Sequence, residues 1–401
     1  SLGGVLGGAF TALLAPMLFK TVIEYPIVLV LACLFRTPDK TPTKRTQYIL
    51  AVVGVLLAAS APILFEVMRY NEPVKIFVQD NFGLSRTSQF LLLGAGICAF
   101  LIRDKLVMFA VIIALGTYAG QHVNRSYNYI FTDRSFFGVT RIGRTVDLGM
   151  GGDIHVMVHG TTLHGAQARH PEAKCHPTMY YANTTPLGQG ALIVQKRNPA
   201  ARMGIVGLGS GAMASYKRAN DTMTFFEIDP MVDRMARNPE LFTFISDCAQ
   251  GPVDTILGDA RLTLQKQPKG TYDYLLIDAF SSDAVPAHLL TQEAIASYLN
   301  LLTDDGVVVL HLSNRHLDIV RPAMAAAEAL DAPFLHQVHV KHAESAEYQE
   351  ASTEAIVIAR NASALEDFKA DGRWSNWDAG GVKPWSDDYV DMFGALRRHM
   401  Q

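Results

Sequence analysis

The sequence predicts an α/β chain. A seven-stranded, mostly parallel sheet is preceded by a small β-rich segment and, ahead of that, by a helical membrane region. Three observations carry this. From residue 203 onward, short apolar runs alternate with helical stretches. A glycine-rich turn closes the first of those runs. Four apolar runs crowd the first 121 of 401 residues.

Hydrophobic residues make up 49% of the chain and charged ones 18%. That is too apolar for a disordered chain, and four cysteines are too few for a disulfide scaffold. A net charge of −3 gives nucleic acid no basic surface to bind. The charge is uneven. Residues 1–121 hold ten Lys/Arg against six Asp/Glu, and the remainder holds 25 against 32. Every one of the 13 histidines lies at or beyond His122. An apolar, basic front therefore precedes an acidic, histidine-bearing back.

Residues 46–65 run without a charge, and about 20 residues of helix cross a bilayer. Residues 87–102 and 106–121 are two further runs, parted only by Arg103, Asp104 and Lys105; residues 1–35 are apolar except for Lys20 and Glu24. Residues 1–121 are read as a region of transmembrane helices in contact with lipid. The opening SLGGVLGGAF has the character of mid-helix, and the chain is expected to be part of a longer membrane protein. Arg36, Lys40, Lys44 and Arg45 mark a cytoplasmic loop under the positive-inside rule, and counting on from it puts the segment after 121 outside. The metabolite that the back of the chain requires argues for the cytoplasm, and the catalytic part is expected there. Cys33 and Cys98 read as packing residues. The absence of CxxC argues against a zinc site or a redox pair, and nothing demands an oxidising compartment.

Residues 122–200 form the next segment. SFFGVTRI (135–142) and DIHVMVHGTTLHGAQ (153–167) read as hairpin material around Gly149, Gly151 and Gly152. They predict a small β-domain at the ligand edge of the sheet. Residues 201–401 carry the sheet itself. Its strands are 203–208, 222–227, 252–257, 272–278, 306–313, 333–340 and 354–360. Helical stretches at 211–220, 229–237, 260–267 and 287–303 separate the first five, which gives a parallel sheet covered on both faces. A loop joins the last two, which predicts an antiparallel pair at the sheet edge.

Gly207, Gly209 and Gly211 follow the first strand, where glycine lets the backbone turn tightly and approach a ligand. Glu227 ends the second strand and can accept both hydroxyls of a ribose. Asp259 ends the third, where it can take an adenine amino group and cap the helix that begins at Ala260. Two carboxylates and a glycine loop favour an adenosyl ligand without a pyrophosphate. Asp278 ends the fourth strand and Asp283 follows in its loop. Beside a sulfonium, such a pair can hold a cationic amine and accept its proton. His311 ends the fifth strand, either facing the pocket or satisfied in the core. His155, His159, His164, His170 and His176 fit no zinc spacing, so no metal is expected.

Together these segments resemble the spermidine synthase (aminopropyltransferase) family, and most closely its membrane-fused bacterial members. RSFFGVTRI, HGTTLHGAQ, PTMYYANTTPLGQG, GIVGLGSG, FFEIDP, GDAR, IDAFSSDAVPAHLLT, HLSNRHLDI and PWSDDY carry the resemblance over about 125–395. The strand count fits the Rossmann-like sheet of S-adenosylmethionine-dependent methyltransferases. The resemblance implies that Gly207, Gly209, Ser210, Gly211, Glu227, Asp259 and Gln167 bind the adenosyl co-substrate. It makes Asp278 and Asp283 catalytic, with Tyr180 or Tyr181 at the amine; Tyr180 is preferred. Asp388 and Tyr389 would close the amine site. The implied reaction is aminopropyl transfer from decarboxylated S-adenosylmethionine to a polyamine, with release of methylthioadenosine and no metal. The implied setting is multi-pass in the cell inner membrane, with a homodimer common in the family.

Two departures bear on the donor. Ser210 stands where the family carries an Asp that pairs with the ammonium of the transferred group. The run from Asp278 to Asp283 is two residues longer than the family's DSSDP. Intact S-adenosylmethionine therefore stays open as donor, for aminocarboxypropyl transfer, methyl transfer or lyase cleavage. A membrane binding or transport protein with a non-catalytic synthase-like domain is the remaining alternative.

Overall fold

The computed structural model describes residues 2–37, 41–71, 73–74, 76–78, 84–123, 127–160, 162–280 and 286–400. It divides into two compact units, Ser1–Asn128 and Tyr129–Gln401.

The first unit is helical. Its longer helices are Glu24–Leu34, Arg45–Tyr70, Leu84–Leu101 and Leu106–Val123. Among the described residues, Arg45–Met68 is the one stretch long and apolar enough to cross a membrane; its 24 residues rise about 36 Å. Leu2–Leu18, Glu24–Leu34, Thr87–Leu101 and Leu106–His122 are apolar but shorter. Of the several crossings expected, one helix among the described residues has the length and apolar composition to span. Ala58, Ala95 and Ala99 are buried with Ile102 and Ile112. A side chain at Gly54 would press on Ile112, 2.7 Å away. Small residues here let the helix backbones approach closely. Ile49, Val52, Leu56 and Ile63 point outward, more than half exposed.

The second unit holds two sheets. Strands β1 (Asn128–Ser135), β2 (Gly138–Asp147), β3 (Gly152–His159) and β4 (Thr162–Ala168) pair in chain order, with β2–β3 and β3–β4 antiparallel. Gly151 and Gly152 take positive φ in the turn before β3, as the glycine cluster predicts.

The larger sheet has seven strands. They are β5 (Arg202–Val206), β6 (Thr222–Glu227), β7 (Asp254–Leu257), β8 (Tyr272–Ile277), β9 (Leu302–His311), β10 (Phe334–His339) and β11 (Thr353–Ala359). Their order across the sheet is β10-β11-β9-β8-β5-β6-β7. β5 to β9 run parallel, while β11 lies antiparallel between β9 and β10. The expected antiparallel pair is therefore present at the edge. β8 is buried at every residue, because helices cover both of its faces. Leu275 and Ile277 pack on one face with Tyr298 and Trp385. Tyr274 and Leu276 pack on the other with Leu187 and Trp374.

Three local expectations need correction. The stretch 211–220 holds only a short 3-10 turn, Ala212–Tyr216. Gly211 enters it at φ 84°, and Ala212, Met213, Ala214 and Tyr216 are all buried, which leaves no exposed face for a longer amphipathic helix. The stretch 287–303 splits into Ala287–Leu289 and Gln292–Leu301, the second capped by the Thr291 side chain accepting from the Ala294 N–H. A helix at Val320–Ala329, not among the expected helices although its alanine-rich run favours one, links β9 to β10.

The cysteines also differ from expectation. Cys33 and Cys98 are buried free thiols, as predicted, but Cys175 and Cys248 form a disulfide across 73 residues. Their sequence separation hides this pairing. The fold closes the gap by packing the segment after β4 against the turn Phe244–Cys248, where Lys174 also meets Asp247 at 2.6 Å.

Candidate active site

The carboxyl ends of β5 and β8 lie side by side, and connections leave them toward opposite sides of the sheet. Ligands of open α/β sheets bind in such a crevice. A cavity of about 680 Å³ occupies it, lined by the glycine turn, the ends of β6, β8 and β9, and the β3–β4 hairpin.

At Gly207 the glycine turn passes close to the end of β8. This residue has φ 92°, and a Cβ there would collide with the carbonyl oxygen of Asp278. The turn is fixed from below by Glu227, whose two carboxylate oxygens accept the Leu208 and Asp229 N–H groups at 2.9 Å each. Burial raises the Glu227 pKa, against the pull of those backbone donors. Glu227 also lines the cavity, where its carboxylate can meet a ligand hydroxyl. Asp259 caps the helix Ala260–Leu264 by accepting from the Leu262 N–H at 3.2 Å and also faces the cavity, so both of its predicted roles are compatible.

Asp278 is the centre of a polar cluster. Its backbone N–H donates to Val206, which seats it at the end of β8. The Tyr181 hydroxyl donates to Oδ2 at 2.6 Å, and His311 Nδ1 lies 2.6 Å from Oδ1. All three side chains are buried. A carboxylate facing Nδ1 places the imidazole proton there, so His311 Nε2 accepts from the Ser313 hydroxyl at 2.8 Å. Ser313 in turn accepts the Glu354 N–H. Burial and the neighbouring carboxylate push the Tyr181 phenol well above its ordinary pKa, so it stays a donor. Tyr180 and Phe280 flank the His311 ring at centroid distances of 5.2 and 4.7 Å. The cluster can hold an ionised carboxylate in one orientation, with a proton acceptor exposed to the cavity.

Several known proteins are similar. Over 115 residues the chain is 35% identical to a polyamine aminopropyltransferase from Vibrio vulnificus, covering 27% of this chain and 36% of that one. Over this stretch the chain is similar in sequence to that enzyme. A second match, 36% identical over 118 residues, is an N-terminal histidine N-methyltransferase from Emericella nidulans; it covers 27% of this chain and 19% of that one. The chain thus spans about a third or less of the curated relatives it matches. Among solved structures, a probable spermidine synthase from Corynebacterium glutamicum aligns with TM-score 0.49 and 15% identity, over 67% of this chain and 98% of that one. No family model matches.

Of the residues that the spermidine synthase resemblance selects, Gly207, Gly209, Glu227, Asp259, Asp278, Tyr180 and Tyr181 line one cavity. Tyr181, rather than the preferred Tyr180, carries the hydroxyl bonded to Asp278. Gln167 is not at the cavity. It is fully buried, donates to Lys174 O and Thr243 Oγ1, and accepts the Thr243 N–H, so it ties β4 to the next segment. Ser210 and Gly211 do not line the cavity either; Ser210 is fully buried with its hydroxyl turned toward Gly165. Asp388 and Tyr389 are exposed and do not line the cavity, with Lys383 over the Tyr389 ring at 4.1 Å. Their neighbour Asp387 pairs with Arg261 instead. Asp283 lies outside the described residues. His311 is the member that sequence reasoning left undecided. Its position at the end of the strand beside β8 was the available signal.

Proposed function

We propose that the chain is an aminopropyltransferase, moving an aminopropyl group from decarboxylated S-adenosylmethionine to a polyamine with release of methylthioadenosine. The observation that carries this is the Tyr181–Asp278–His311 cluster at the end of β8, beside the Gly207 turn and Glu227. The Gly207 and Gly209 backbone, Glu227 and Asp259 would hold the adenosyl group. Asp278 would take a proton from the attacking amine as the new C–N bond forms and the C–S bond breaks. Tyr181 and His311 would keep its carboxylate aimed. Aligning the two reactants in one cavity supplies the other large contribution to rate.

One observation favours a second reading, with intact S-adenosylmethionine as donor. Ser210 is withdrawn from the cavity, while Arg315, His159 and His164 line it. Cationic or hydrogen-bonding walls suit a donor that keeps its carboxylate. Mass spectrometry of the nucleoside product separates the two. Methylthioadenosine formed only from the decarboxylated donor plus an amine is the expected result. The same product from the intact donor supports the second reading, and S-adenosylhomocysteine would instead mean methyl transfer.

The outward apolar side chains of the first unit, with a 24-residue span, support attachment to a lipid bilayer. The disulfide weighs against a cytoplasmic second unit, because such bonds persist in oxidising compartments. It agrees with the count from the positive-inside rule, which puts the segment after 121 outside.

A further inference from the structure

Three side chains outside the cluster above converge at the sheet edge. His339 ends β10, His342 follows three residues on, and Glu350 precedes β11. His342 Nδ1 is 2.7 Å from Glu350 Oε1, and His339 Nε2 is 3.2 Å from Oε2. The candidate ligand atoms all lie within 4.8 Å of one another. In a tetrahedral zinc site with ligands at 2.0–2.2 Å, ligand atoms stand roughly 3.3 Å apart. Small side-chain rotations therefore bring all three onto one ion.

We propose that His339, His342 and Glu350 form a binding site for a divalent transition metal of the zinc type. The donor set is two imidazoles and one carboxylate, which favours such an ion over magnesium or calcium. His339 supplies an independent sign. Its Nε2 is buried in a ring only 9% exposed, and although it lies 3.2 Å from Glu350 Oε2 it makes no hydrogen bond of good geometry among the described residues. Glu350 is already oriented by the Thr184 and Ser345 hydroxyls, at 2.5 and 2.7 Å, as outer-shell partners orient metal ligands. His342 is exposed, which leaves a fourth position open to water. Binding converts His342 Nδ1 from donor to ligand, and its proton passes to Nε2, the nitrogen left off the ion.

The site would brace the tyrosine turn. Met179 sits at φ 56°, a strained value for a residue with a side chain. It is held by its N–H to Tyr348 O and by the Ala351 N–H to its own carbonyl. Both partners flank Glu350. An ion there fixes the segment that sets Tyr180 and Tyr181.

The assignment does not depend on the proposed reaction, because binding is read directly. The detergent-purified full chain, stripped with chelator, is titrated with Zn²⁺ by calorimetry and with Co²⁺ by visible absorption. The expected result is one equivalent of Zn²⁺ and the intense d–d bands of four-coordinate cobalt. His342→Ala, at an exposed position, should keep the apo melting temperature and weaken Zn²⁺ binding at least about tenfold. His339→Gln should do the same. No Zn²⁺ binding by the intact chain, or equal binding in both variants, overturns the site.

Discussion

Asp278→Asn is expected to lower kcat on the order of 10³-fold, the range lost with a positioned general base. The amide is nearly isosteric and preserves both contacts. Its oxygen accepts from Tyr181, and its NH₂ donates to His311 Nδ1 once the imidazole proton moves to Nε2 and faces Ser313. The Gly207 turn, Glu227 and Asp259 are untouched, so methylthioadenosine should bind within a few-fold of the parent by calorimetry. The split between lost turnover and kept nucleoside binding is the result to look for. Turnover within tenfold of the parent would remove Asp278 as the base. Asp278→Ala is a poorer test, because it strands the buried Tyr181 and His311 polar groups at about 1–3 kcal/mol each.

Removing the Cys175–Cys248 bond should produce the largest loss of stability from a single site. A crosslink across 73 residues stabilises by about 4 kcal/mol in the loop-closure model. For a unit of this size, Cys175→Ser should lower the melting temperature by roughly 10 °C. Thiol titration of the unfolded, unreduced protein should find two free thiols, those of Cys33 and Cys98. Four thiols would mean that the bond is absent from the protein as prepared.

Much of the sheet was legible because its strands carry apolar runs that two-sided burial explains, as in 274–277. The glycine turn and Glu227 were legible for a local reason. Backbone approach and a strand-end carboxylate are written in adjacent residues. What escaped depends on contacts between distant residues. Gln167 belongs to Thr243, 76 positions away, and nothing in HGTTLHGAQ distinguishes a ligand-facing amide from one tying two segments together. Tyr180 and Tyr181 differ only in which side of a strained turn each occupies, and Met179 decides that through Tyr348 and Ala351. The histidine–glutamate cluster escaped because its members fit none of the zinc spacings sought around 155–176. The disulfide escaped for the same kind of reason.

The buried phenol of Tyr181 has a consequence for how turnover varies with acidity. A tyrosine near its usual value of 10 would ionise in the range where an acceptor amine sheds its proton, and the two would shape one bell. Here the phenol keeps its proton well beyond that range. Under the proposed reaction, the rate should climb as the free amine base accumulates, with no opposing limb from Tyr181.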